Sequence, residues 1–162
     1  MKLQFETLKE AHRSIVMDIF NTHIELGTAA YPEAPLPLSA FDNFLTLTRG
    51  YPAYVLKLGE KPVGFCFLSA LNPHSTFNSA ALVTYFIAPE YTGRGLGKQA
   101  LMQLEKEAKR NNITTLLANI SSKNQQSLNF HEKNGFAHCG TFKNVGNKQG
   151  QTFHMVWMQK EL

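Results

Sequence analysis

Apolar residues recur with two different periods along this chain, and the switches between them mark out its elements. From Leu3 to Leu8 apolar and polar residues alternate, which suits a short, half-buried strand. Helical spacing follows at Ile15, Ile19 and Phe20. The stretch Gly27–Pro37 carries Pro32, Pro35 and Pro37. Proline lacks the N–H that a helix interior or a central strand requires, so this stretch is predicted to be an ordered loop. Ser39 is the predicted N-cap of a helix through Phe41, Phe44, Leu45 and Leu47.

Two β-rich runs come next, Ala53–Leu58 and Val63–Ala70, with Gly59-Glu60-Lys61-Pro62 as the turn of a hairpin. A polar loop opens at Asn72-Pro73-His74. Ala80–Ile87 is nearly continuous in apolar character, as expected of a central strand. A glycine-rich connection, Ala88–Gly97, leads into a helix from about Gly97 to Arg110, with Leu101, Leu104 and Ala108 on one face and Lys106, Lys109 and Arg110 towards its end. Thr114–Ile120 is a predicted strand. Lys123–Asn134 is a predicted helix stopped by Gly135. Phe136–Phe142 and Thr152–Met158 are the last strands, joined by the turn-rich Asn144–Gly150. The order β-α-α-β-β-β-α-β-α-β-β predicts one α/β (α+β) domain over residues 1–162 with a mixed sheet flanked by helices.

Composition narrows the function classes. A hydrophobic share of 43% against 17% charged residues excludes a disordered chain. The net charge of +4 has no long basic run behind it, so an anionic small molecule suits it at least as well as nucleic acid, and no nucleic-acid partner is expected. Cys66 and Cys139 read as buried thiols in a reducing cytosol. No run reaches the ~18 apolar residues of a membrane span. The opening MKLQFETLKEAH lacks the apolar stretch of a leader, so a cytoplasmic location with no membrane partner is expected. The six histidines and two cysteines show no ligand spacing, and no metal site is expected.

The chemistry concentrates in Tyr85–Lys98. A central strand ends there, and Gly93, Gly95 and Gly97 open a helix. Glycines leave the first-turn N–H groups unobstructed, and those donors with the helix dipole form an anion site, to which Arg94 and Lys98 add positive charge. A pyrophosphate is the natural ligand. A Walker A loop is excluded, because Thr92 and Gln99 stand where it needs glycine and Ser or Thr. A dinucleotide fingerprint is a poor match as well: the spacing is G-x-G-x-G, and Asn112–Thr115 offers no carboxylate.

This arrangement resembles the acyl-CoA loop of the GCN5-related N-acetyltransferases, [RQ]-x-x-G-x-[GA] after a strand. Gly95-Leu96-Gly97 matches its last three places, and Thr92 stands where Arg or Gln is usual. Asn124 to Phe136 resembles the N-x-x-S-x-x-x-H-E-x-x-G-F segment of the phosphinothricin-acetyltransferase-like branch. Phe20-Asn21, Glu33–Leu36, Gly140–Phe142, Val145-Gly146, Lys148, Gly150 and Met158-Gln159 fit that branch too, so the similarity spans nearly the whole chain. The resemblance implies a splayed central strand pair and acetyl-CoA as cosubstrate. It implies a homodimer with the C-terminal strands near the interface, and direct acetyl transfer to the primary amine of a small, amino-acid-like molecule.

Carried over by position, Tyr85, Phe86 and Ile87 would bind the pantetheine arm, with a backbone N–H near Phe86 polarising the thioester. The amides of Gly93, Arg94, Gly95, Leu96, Gly97 and Lys98 would take the pyrophosphate. Asn124 and Ser127 would hold the pantetheine or adenosine side, and His131 would handle protons near the thiol. Leu82 falls where relatives carry a glutamate base and cannot move a proton. A water path to Glu33 in the proline-rich loop or to His131, an amine arriving neutral, or a non-catalytic acyl-CoA-binding protein are the readings this leaves open. Acetylation of a protein N-terminus or lysine is a further one. Thr152 and His154 stand where a Trp and an Asp are common in the branch.

Overall fold

Strand β3 (Lys61–Ala70) is buried without a break from Val63 to Ser69, so both of its faces must be covered. The computed structural model describes residues 1–162. Around β3 lie β1 (Leu3–Thr7), β2 (Ala53–Leu58), β4 (Ala80–Ile87), β5 (Thr115–Ser121), β6 (Ala137–Lys148) and β7 (Gln151–Glu161). They form a seven-stranded sheet in the order β1-β2-β3-β4-β5-β7-β6. Only β4 and β5 run parallel; all other neighbours are antiparallel. The sheet is mixed, as predicted.

Alternation on β3 feeds two cores. Phe65 and Phe67 point to helices α1 (Arg13–Leu26) and α2 (Phe41–Leu47), where they meet Val16, Met17, Ile19 and Phe41. Cys66 and Leu68 point the other way, to Leu101, Leu104 and Ala108 of α3 (Leu96–Arg110). Helix α4 (Gln125–Lys133) packs beside β5 and β6, and its Phe130 joins this second core. Truncating fully buried Phe65 to alanine would cost about 3–5 kcal/mol by loss of burial and the cavity left.

Three expectations are corrected. Ser39 does not cap α2: Leu38–Ala40 forms a 3-10 turn that runs straight into the helix. Arg13 of α1 fastens that corner instead, donating to Leu38 O at 2.8 Å and to the Asp42 carboxylate at 2.5 Å. The loop expected over Asn144–Gly150 shrinks to Gln149-Gly150, both at positive φ (51° and 77°), as a two-residue hairpin turn of type I′ needs. Gly146 then takes the Phe153 ring so closely that a Cβ would lie 2.2 Å from it. Cys66 is buried, but Cys139 is exposed, because β6 is the open edge of the sheet. No helix is long and apolar enough to cross a membrane.

The feature that positions the site is a failure to pair. The β4–β5 ladder stops at Leu82 and Leu117, although the strands continue to Ile87 and Ser121. Beyond that point they splay apart.

Candidate active site

The gap between β4 and β5 exposes main-chain groups in a definite order. Ala88 N donates to Val63 O on β3 at 2.8 Å, and alternate residues of an antiparallel ladder follow suit. The N–H and C=O of Phe86 therefore face β3. Those of Tyr85 and Ile87, and the C=O of Val83, face the gap. This corrects the expectation for Phe86 as a polarising donor: Tyr85 and Ile87, on either side of it, present the free-facing N–H groups.

At the end of the gap the chain turns into α3. Gly95 is the N-cap, at φ 77°, a left-handed conformation that favours glycine. From Gly93 to Lys98, six consecutive N–H groups have no acceptor in the chain; the first to bond is that of Gln99, to Gly95 O. Nothing lies within 4 Å of where a Cβ would stand on Gly93 or Gly95. The site is thus a run of unpaired donors at a helix N-terminus. The Lys98 side chain lines it. The Arg94 side chain does not: it lies over the Tyr91 ring and donates to Glu90 O at 2.9 Å, leaving only its amide to the anion site.

This turn and the gap belong to one cleft of about 1090 Å³, which continues past α1 and α2 to the loop at Ala29–Pro32. Its far end is walled by Phe20, Phe44, Leu47, Phe67 and Leu82. No Asp, Glu or Arg side chain lines the cleft anywhere. Glu33 is not brought to it: its carboxylate accepts from Gln149 N at 3.1 Å, at the β6–β7 turn. The loop is pinned by Lys148, whose buried ammonium donates to Ile24 O, Gly27 O and Ala30 O at 2.6–2.8 Å. Burial pushes that ammonium below the usual lysine range, and Glu33 opposes the shift. Tyr31 stacks on Phe153 and donates to Asn119 Oδ1 at 2.5 Å. Burial pushes its phenol up to about 12, so it stays protonated.

Two imidazoles line the cleft. His131, 3% exposed, is closed on both sides. Its Nδ1 lies 2.7 Å from Ser127 O, which can only accept, so Nδ1 carries the proton. Nε2 is then the acceptor for the Tyr85 hydroxyl. Burial pushes His131 below its ordinary value, with the Ser127 carbonyl pulling the other way, and burial holds the Tyr85 phenol well above its own. His23, on α1, is engaged on one side only. Its Nε2 donates to Ile87 O at 2.7 Å, and its ring sits 5.1 Å from that of Phe86. Asn124 and Ser127 both line the cleft, but Asn124 Oδ1 is spent on capping α4, accepting from Ser127 N at 3.2 Å. His154 faces away, accepting from Asn144 N at 2.9 Å.

The arrangement fits a ligand with a diphosphate at one end and an extended polar arm. The unpaired donors suit the diphosphate, the open edge of β4 suits the arm, and the apolar end leaves room for a further small molecule. Sequence reasoning found the main-chain parts. It missed His23, because a lone histidine in a helix belongs to no motif.

Comparisons with known proteins agree with this geometry. The profile of the Acetyltransferase (GNAT) family matches residues 16–136. Phosphinothricin N-acetyltransferase of Alcaligenes faecalis is 29% identical over 147 residues, covering 89% of this chain and 75% of that one. The L-methionine sulfoximine/L-methionine sulfone acetyltransferase of Pseudomonas aeruginosa is 26% identical over 152 residues, covering 91% and 87%. A phosphinothricin acetyltransferase of Sinorhizobium meliloti, solved in complex with AcCoA, superposes with a TM-score of 0.92 over 100% of this chain and 89% of that one, at 24% identity. It shares the fold.

Proposed function

The chain belongs to the acetyltransferase (GNAT) family, and on that footing we propose that its cleft transfers the acetyl group of acetyl-CoA directly to the primary amine of a small, amino-acid-like molecule. The observation that carries this is the six unpaired N–H groups of Gly93–Lys98 opening onto the unpaired edge of β4. The relatives' acceptors, phosphinothricin and methionine derivatives, support the acceptor class.

Acetyl-CoA supplies an activated acetyl thioester. The amides of Gly93, Arg94, Gly95, Leu96, Gly97 and Lys98 neutralise the diphosphate with fixed dipoles that need no rearrangement. The N–H and C=O of Tyr85, the C=O of Val83 and the N–H of Ile87 take the pantetheine arm as an added strand would, and an N–H of this set polarises the thioester carbonyl. Asn124 and Ser127 flank the arm from α4. The Tyr85 phenol, kept protonated by burial, holds the proton available to a departing thiolate. His131 accepts that hydroxyl and so fixes where it points; with both nitrogens engaged it serves as a positioning residue rather than as a free base.

We further propose that the chain acts as a homodimer in the cytoplasm. The open edge at β6, with Phe142 and Val145 exposed, supports an interface there.

The test is thiol release from acetyl-CoA across amino acids, methionine analogues, polyamines and a peptide N-terminus, beside calorimetric titration with CoA. Turnover concentrated on an amino-acid-like acceptor is expected. Binding of CoA with no thiol release on any amine would overturn the catalytic reading, and preference for the peptide would overturn the small-molecule one.

A further inference from the structure

We propose that His23 is the general base of this chain, taking the proton that the acceptor amine gives up; this rests on the acetyl-transfer reading above. With Leu82 apolar and no carboxylate lining the cleft, the groups there that can change protonation are tyrosines, lysines and the two imidazoles. Burial keeps the Tyr31 and Tyr85 phenols protonated. Lys98 lines the anion end, and Lys133 lies on α4. His131 has no free nitrogen. Of the two imidazoles, His23 alone offers an unengaged basic nitrogen.

The geometry sets its tautomer. The Ile87 carbonyl can only accept, so His23 Nε2 carries the hydrogen and Nδ1 keeps its lone pair. No other hydrogen bond engages that ring. Ile87 O belongs to the set of groups facing the gap, so the bond holds the imidazole beside the N–H donors that would polarise the thioester. The ring's contact with Phe86 fixes its plane.

The step balances as follows. A protonated amine, R–NH3⁺, gives one proton to His23 Nδ1, and its lone pair forms the N–C bond to the acetyl carbon. The C–S bond breaks with its electron pair going to sulfur, which takes a proton as thiol. The second amine proton leaves as the amide forms, so one proton in net is released to solvent through the imidazolium.

Uncharged groups meet the ring, Phe86 and Ile87 on β4, and Phe20 and Tyr31 line the same cleft. The charged groups nearby are few. Lys148, reaching from β6, sits on Ile24 O and opposes an imidazolium, while the carbonyl end of α1 favours one. Asp18 and Glu25 on α1 are exposed, and Glu33 is held at the β6–β7 turn.

His23→Gln keeps an N–H for Ile87 O and removes the basic nitrogen. Its kcat at neutral pH should fall about 10²–10⁴-fold, with CoA affinity by calorimetry unchanged. The deficit should shrink by about tenfold per pH unit on the way to the acceptor's own pKa, since the fraction of amine already neutral grows at that rate. In parallel, the ¹⁵N signal of His23 Nδ1 in the CoA-bound parent chain should be that of an unprotonated nitrogen at the pH of turnover. A deficit constant across pH, no deficit, or a protonated Nδ1 at that pH would each overturn the assignment, and the nitrogen signal decides even if the variant folds poorly. Absence of turnover by the parent chain would overturn the acetyl-transfer reading and this assignment with it. Turnover by the parent with a pH-independent loss in the variant overturns His23 alone.

Discussion

The two ends of the cleft are built from different materials. The end we assign to the diphosphate is main chain: six N–H groups at the start of α3 and the free edge of β4. The end we assign to the acceptor is side chain: Phe20, Phe44, Leu47, Phe67 and Leu82 for shape, His23 and Tyr31 for polarity. A main-chain site depends on backbone conformation, so Thr92 in place of a usual Arg or Gln leaves its donors where they are. A side-chain site is rewritten by one substitution. Leu82 stands where the resemblance implies a base, and in our proposal the proton path runs instead through His23 on another element.

Variants should separate the two ends. The largest effect is expected at Lys148→Met. It leaves three carbonyls, one on the last turn of α1 and two in the loop after it, without their buried donor, at roughly 3 kcal/mol or more of stability in total. Because the loop they hold forms the acceptor wall, the KM for the amine should rise while CoA affinity by calorimetry is kept. Equal loss of both would mean that the ends are not independent.

Gly95→Val should do the reverse at smaller cost to folding. A side chain at φ 77° is strained by about 1–2 kcal/mol, and its Cβ enters open space where the anion would sit. CoA affinity should fall at least tenfold, with the pH profile of turnover unchanged. An affinity within twofold of the parent's would mean that the diphosphate lies elsewhere.

The same contrast explains what could be read from the sequence. Periodicity placed all seven strands and the four helices, because the β3 and α3 patterns follow from burial. The glycines at 93, 95 and 97 announced the run of unpaired N–H groups, since backbone access leaves a mark in residue type. Side-chain constellations leave none. Glu33 looked available in the proline-rich loop, yet the β6–β7 turn takes its carboxylate. His131 carried a motif, but only the fold reveals that Tyr85 closes its second nitrogen. Which N–H groups of β4 face the gap depends on ladder parity, which shifted the donor from Phe86 to its neighbours. Ser39 had the chemistry of a cap, and Arg13 from a distant helix held that corner instead.

Backbone amide NMR of the ¹⁵N-labelled chain, titrated with CoA and then with pantetheine lacking the diphosphate, addresses the anion site most directly. CoA should shift and protect the amides of Gly93–Lys98 together with those of Tyr85 and Ile87, and pantetheine should move only the latter pair. If CoA binds while Gly93–Lys98 stay where they were, the main-chain diphosphate site is wrong.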